Sequence, residues 1–241
     1  MLTALRTLIG TLAGVVGLAL AVSGCGAGDD TIEHAKDYAK SDGSQIAADA
    51  RTAMAGLKTM HVAGTIRQGN QSIALDLSVS RDGSCLGTIG VGKGSIQLRS
   101  VGGKAWYKAD LGFWKAEVGA EAQSVAKAIG GRWVVLSGDL ASLRSFCRID
   151  SLTSQMLSPK ASIDTQGAAM VGATPTVRIA ISGAGVPTAA YVKASDPHYV
   201  LRIVRGSGDK AGQVDFSSFD AAFTVKAPAA DDVVDPASIA K

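Results

Sequence analysis

The sequence predicts an α+β fold: one strongly curved antiparallel sheet of about ten strands, with helices on its concave face. Three observations predict it. Two long tracts, roughly residues 61–108 and 161–219, alternate apolar and polar side chains with a period of two. Gly-rich turns punctuate both tracts. Helix-period stretches lie before the first tract and between the two, and such segregation belongs to the α+β class. A continuous sheet of about ten strands curls, because neighbouring strands twist in one sense.

Each element has a local reason. Ile46, Ala47, Ala50, Met54 and Leu57 recur near helical spacing between Ser44 and Met60. A helix of about four turns is expected there, capped by Ser44. The period then changes to two. His61–Ile66 is the first strand, and in the second Ile73, Leu75, Leu77 and Val79 alternate with Ala74, Asp76, Ser78 and Ser80. Arg81-Asp82-Gly83-Ser84 is a turn, Asp-Gly being a hairpin signal. Cys85–Val91, Ile96–Val101 and Ala105–Lys108 complete a five-strand meander through turns at Gly92-Lys93-Gly94 and Gly102-Gly103. Glu117–Ile129 reads as a short helix, Trp133–Leu136 as an extended connector, and Asp139 to about Leu157 as a second helical stretch that Pro159 stops. Strands resume at Ala161–Thr165, Ala169–Val171, Thr176–Ser182, Ala189–Ala194, Tyr199–Arg205 and Gln213–Phe219. The tail from Ala227 to Lys241 is rich in Pro, Ala and Asp, and loose docking is expected of it.

The N-terminus carries a different signal. Arg6 is the only charge in the first 28 residues, and Thr7 to Val22 is apolar or small. That run suits a signal-peptide core and falls short of the roughly 20 residues of a spanning helix. Leu20-Ala21-Val22-Ser23-Gly24-Cys25 closes it with small residues before a cysteine. This is the pattern of a bacterial lipoprotein signal, cut before Cys25 and acylated on the thiol and the new N-terminus. The expected organisation is a signal peptide at 1–24, a lipidated Cys25 with a polar tether at 25–43, and a single domain at 44–241. Each buried methylene of an acyl chain contributes about 0.8 kcal/mol, and two or more chains anchor stably. The expected location is the extracytoplasmic face of the cell membrane.

Charge and cysteines narrow the classes further. With Arg6 removed, 23 Lys and Arg face 21 Asp and Glu, interspersed and without a basic cluster. No footprint for nucleic acid is present. Cys85 and Cys147 remain after lipidation. Outside the cell a lone pair is either a disulfide, closing a loop of about 60 residues, or two separate buried thiols.

His34, His61 and His198 lack metal-ligand spacing, and no Gly-x-Ser-x-Gly elbow or phosphate-binding Gly-Lys loop occurs. Ser124-Val125-Ala126-Lys127 and Ser207-Gly208-Asp209-Lys210 match Ser-x-x-Lys, but the companion Ser-Asp-Asn and Lys-Thr-Gly are missing. Glu117 and Glu121 read as a solvated helix face. The expectation is a non-enzyme without cofactor or metal. Trp106, Tyr107, Phe113 and Trp114 cluster around one hairpin, either as packing or as an interfacial mouth facing the membrane.

Several stretches together resemble the actinobacterial lipoproteins of the LppX/LprA/LprF/LprG type, and more distantly LolA and LolB. They are the lipobox at Cys25, Lys58-Thr59-Met60-His61-Val62-Ala63-Gly64-Thr65 after a helix, and Val101-Gly102-Gly103-Lys104-Ala105-Trp106-Tyr107-Lys108 with Phe113-Trp114. Gly131-Arg132-Trp133-Val134, Tyr199-Val200-Leu201-Arg202-Ile203 and Val214-Asp215-Phe216-Ser217-Ser218-Phe219 complete the set. The resemblance covers about residues 44 to 235. It implies a half-barrel closed over by helices, with an apolar pocket for acyl chains, in proteins that carry or bind lipids and glycolipids of the cell envelope. It implies no catalytic residue.

The alternating apolar residues are the candidate cavity lining. They are Ile73, Leu75, Leu77 and Val79 in one strand, Ile89 and Val91 in the next, and Ile96 and Leu98 in a third. Val177, Ile179 and Ile181, then Leu201 and Ile203, continue the face in the second tract. They line a lipid cavity or fill a dry core. The first outcome predicts a monomeric lipid or glycolipid carrier held to the membrane by Cys25. The second predicts a non-enzymatic interaction or sensory module with an envelope protein partner.

Overall fold

The computed structural model describes residues 27–68, 71–153, 157, 161–183, 186–208 and 211–235. The lipobox, Cys25 and the segment read as a signal peptide lie outside them. Two helices come first, α1 (Ala27–Tyr38) and α2 (Gly43–Gly56). A meander follows: β1 (Thr59–Gln68), β2 (Gln71–Ser80), β3 (Cys85–Val91), β4 (Gly94–Val101) and β5 (Lys104–Ala109). The excursion between the meanders holds α3 (Leu111–Val118), α4 (Ala122–Ile129), β6 (Trp133–Val135) and α5 (Ile149–Thr153). The second meander is β7 (Ser162–Val171), β8 (Thr174–Ser182), β9 (Thr188–Lys193), β10 (Val200–Arg205) and β11 (Gly212–Ser217), and β12 (Val233–Val234) comes last.

All twelve strands join one open sheet in the order β12-β6-β5-β4-β3-β2-β1-β11-β10-β9-β8-β7. Every pairing is antiparallel except β12 with β6. The first strand of one meander thus pairs with the last strand of the other, and β1–β11 is the seam. A twist of about 20–25° between neighbours accumulates to more than half a turn over twelve strands. The sheet is therefore a half-barrel, with a concave inner face. Side chains of that face and of the helices form one core: Ile46, Ala50 and Met54 of α2 and Phe113 and Trp114 of α3 share it with Leu77, Ile89, Leu98 and Ile179 of the strands.

Several elements depart from their sequence expectations, each for a stated reason. The tether segment contains α1, whose Ala35 is buried and whose Tyr38 stacks on His198 at 4.4 Å and donates to Asp49 at 3.0 Å. Asp42, rather than Ser44, caps α2: its carboxylate accepts the Ser44 N–H at 2.8 Å, and the Ser44 hydroxyl donates to the same oxygen. The far end of α2 is held by Arg81, which donates to the Leu57 and Ala55 carbonyls at 2.7 Å each and pairs with Asp150 at 2.6 Å. The stretch from Asp139 is a 3-10 helix over Gly138–Cys147 followed by the short α5, not one continuous α-helix. Two predicted strands merge into β7, because a bulge between Thr165 and Gly167 absorbs the break in pattern. The connector at Trp133 is a strand, since β12 from the supposedly loose tail pairs with it and buries Val234. Among the described residues no helix is long and apolar enough to cross a membrane.

Candidate functional site

A pocket of about 210 Å³ opens on the inner face at the seam. β1 supplies Val62, Thr65, Ile66 and Arg67, and β2 supplies Leu75. On the other side of the seam β11 supplies Gly212, Val214 and Phe216, and β10 supplies Ile203 and Arg205. Ile181 and Thr188 come from β8 and β9, while Leu152 of α5 and Ala161 cover it from the helical side. The walls are mainly apolar, with hydroxyls only from threonines and charge only from two arginines.

Register explains the placement. Gly64 lies opposite Val214 on one side and Leu75 on the other, and Val214 lies opposite Ile203. At Gly64 this inward row brings the β1 backbone close against β11, where an added Cβ would meet the Gln213 carbonyl. The neighbouring row pairs Val62 with both Phe216 and Leu77 and is closed, with Val62 and Phe216 buried to 1% and 3% exposure. That row is the floor. Toward the other end Ile181, Thr188, Arg205 and Gly212 lie in sequence across four strands. Arg67 and Arg205 are exposed there, so this end is the mouth.

The predicted cavity residues divide accordingly. Leu75, Ile181 and Ile203 line the pocket. Leu77, Val79, Ile89, Ile96, Leu98, Val177 and Ile179 are packed in the core, and Ile73 and Val91 lean part-buried against it. Leu201 falls at a bulge in β10, between Val200 and Arg202, and is part-buried while Val200 takes the buried position. The sequence reasoning missed the β1 and β11 walls. Val62 with Ile66 and Val214 with Phe216 do alternate, but nothing local says that these two strands meet.

The other candidates are placed elsewhere. Cys85 and Cys147 form a disulfide, with Cα atoms 5.2 Å apart. Tyr107, Phe113 and Trp114 pack on one another with ring centroids 5.3–6.1 Å apart, and none of them lines the pocket. Trp106 points the other way along β5, and Arg99 and Lys108 lie over the neighbouring Trp133 at 4.4 and 5.3 Å. The four hairpin aromatics are all buried, so they are packing residues and not an interfacial mouth. His61 faces Asp76 at 3.4 Å, and His198 contacts Asp196 and the Lys193 carbonyl at 3.2 and 3.0 Å. Burial, together with the hydrogen bond to Asp49, pushes the Tyr38 hydroxyl pKa up. Among the described residues no three His, Cys, Asp or Glu side chains gather as a metal site would.

An open curled sheet with helices inside and an apolar pocket at its seam is an α+β half-barrel. Two solved structures share the fold. LprF from Mycobacterium bovis aligns with a TM-score of 0.53 at 16% identity, over 78% of this chain and 97% of that one. The Mycobacterium tuberculosis lipoprotein LppX aligns with a TM-score of 0.51 at 17% identity, over 76% of this chain and 97% of that one. No family model and no curated protein matches the sequence.

Proposed function

We propose that this protein is a cell-envelope lipoprotein that binds or transfers lipid by sequestering an acyl chain in the seam pocket. Cleavage before Cys25 and acylation there would hold it on the extracytoplasmic face of the membrane. The observation that carries the reading is the mainly apolar pocket of about 210 Å³ at the β1–β11 seam. An apolar cavity of 150 Å³ already takes up a small hydrocarbon, while drug-sized sites span roughly 300–1,000 Å³. The pocket therefore suits a segment of one chain, and a glycolipid with several chains requires it to widen. Each methylene buried contributes about 0.8 kcal/mol without directional bonds, so several chain types should be accepted.

The test is native mass spectrometry with lipid extraction on the chain from residue 26, expressed in its own host. That chain keeps every residue of the described fold. A bound mass of acyl-lipid size is expected. Leu75→Trp should abolish it with the fold intact, because Leu75 faces the pocket. Leu77→Trp should destabilise by about 1–3 kcal/mol instead, because Leu77 is fully buried in packed core. A stable parent that carries no lipid, and two tryptophan variants that behave alike, would sink the carrier reading in favour of a partner-binding module.

A further inference from the structure

The strand register gathers one set of turns at the mouth end of the half-barrel. β1 and β2 meet there at Gln68 and Gln71, and β3 and β4 at Val91 and Gly94. β10 ends there at Arg205, opposite Thr188, and α3 starts there after β5. Three cations stand at this end: Arg67 on the outer face of β1, Lys93 in the β3–β4 turn, and Arg205 on the inner face of β10. All three are exposed, and none has an ion-pair or hydrogen-bond partner among the described residues. Asp110, the carboxylate in the described turns of this end, has both oxygens occupied, by the Phe113 N–H and by Ser95. Lys160, Asp209 and Lys210 lie nearby in sequence and outside the described residues. Two of the cations have an exposed apolar neighbour. Leu111 leads into α3 beside Lys93, since a Cβ added to Gly112 would meet the Lys93 carbonyl oxygen at 2.5 Å. Val186 lies beside Arg205, since the Gly206 N–H donates to the Pro187 carbonyl at 2.8 Å. The opposite end differs: its turns mix Lys58, Arg81 and Lys193 with Asp82, Asp196 and Asp220, and Arg81 pairs with Asp150.

We propose that the mouth end docks on an anionic membrane surface, so that the pocket opens against the head-group layer from which its acyl chain comes. This rests on the acyl-chain reading above and adds the surface through which the lipid passes. The physical basis is charge placement. From β10 to β3 the rim crosses four strand spacings, about 20 Å. The three cations therefore do not converge on one head group and suit several lying in a plane. Near an anionic bilayer each Lys or Arg adds attraction within a Debye length of the surface. Leu111 and Val186 are apolar tips that enter the head-group layer between the cations. A chain that reached the pocket through open water would expose each methylene on the way, and a mouth seated on the bilayer removes that crossing. Under the Cys25 anchoring proposed above the domain is already held at the membrane, so a weak surface attraction suffices to orient it.

The experiment measures flotation of the chain from residue 26 with vesicles of dioleoylphosphatidylglycerol or of dioleoylphosphatidylcholine, at low and high salt. The anionic vesicles should bind at least about tenfold more tightly, with the advantage shrinking in high salt. Lys93→Gln should weaken that binding about fivefold. Lys104→Gln, the same charge change on an exposed residue at the opposite end, should leave it unchanged. Val186→Trp should add an emission that shifts to the blue on the anionic vesicles, readable because Trp106, Trp114 and Trp133 are all buried. Equal weakening by Lys93→Gln and Lys104→Gln overturns the proposal, since the attraction would then follow net charge and not the mouth. Binding to neither vesicle also overturns it, and leaves the acyl-chain reading standing if the same chain carries lipid in the mass spectrum. Anionic vesicle binding that Lys93→Gln weakens, by a chain that carries no lipid, supports the docking surface while the acyl-chain reading falls. Binding to poly-glutamate but not to anionic vesicles overturns the proposal in favour of an acidic protein partner.

Discussion

At Gly64 the β1 backbone takes φ +142°, and a Cβ built there would lie 2.2 Å from the Gln213 carbonyl oxygen. Gly87 repeats the arrangement on β3, with φ +149° and the Asp76 carbonyl oxygen at 2.0 Å. Glycines of this kind let neighbouring backbones close up where a sheet must bend. Gly64→Ala should therefore cost about 1–3 kcal/mol in backbone strain alone, with the clash adding to it. Urea unfolding checks this through a lower midpoint at unchanged slope. Gly56→Ala is the control, because nothing lies within 4 Å of its added Cβ and its φ is not positive. Leu201 shows the limit of residue-scale reading. Strict alternation places it inward with Ile203, but the bulge at that point inserts one residue and hands the inward place to Val200.

Element by element, local chemistry often names the caps but not their second contacts. Asp110 precedes α3, and its Oδ1 accepts the Phe113 N–H at 2.7 Å. Its Oδ2 accepts the Ser95 N–H at 3.0 Å and the Ser95 hydroxyl at 2.7 Å, tying the helix start to β4. Burial alone would raise the Asp110 carboxyl pKa, but these donors outweigh it and hold it below the ordinary range. A depressed folded-state pKa means stability that is present above the unfolded value, near 3.9, and lost as pH falls through the folded one. Asp110→Ala should cost about 1 kcal/mol at neutral pH. The gap to the parent should close below that carboxylate range, and unfolding curves at neutral and strongly acidic pH test it. A gap that persists in acid would assign the effect to packing rather than to the charged cap. The β12 strand is the opposite case: Pro, Ala and Asp around Val233 and Val234 have no strand signature, and only the open edge of β6 makes them one.

For the whole molecule, the disulfide and the seam are the two long-range ties. Cys85 on β3 meets Cys147 at the end of the 3-10 segment, 62 positions later. It fastens the helical excursion to the first meander, beside a bridge between Ser80 and Arg148. In the chain-entropy model such a loop contributes about 4 kcal/mol. Cys147→Ser should lower stability by up to that amount, and reductant should bring the parent to the variant's denaturation midpoint. A parent insensitive to reductant would contradict it. The seam joins Val62 to Phe216, 154 positions apart, and places the pocket where the two meanders meet.

The sequence by itself determined the class of fold and most strand faces, because alternation, turn residues and apolar period act over a few neighbouring positions. Leu75, Ile181 and Ile203 were legible as inward residues for that reason. Which inward residues face empty space was decided only in three dimensions. It depends on β1 meeting β11 and on Leu152 and Ala161 arriving from the helical side. Those contacts join distant parts of the chain, and packing across them, rather than any local pattern, separates a wall of the pocket from a filled core.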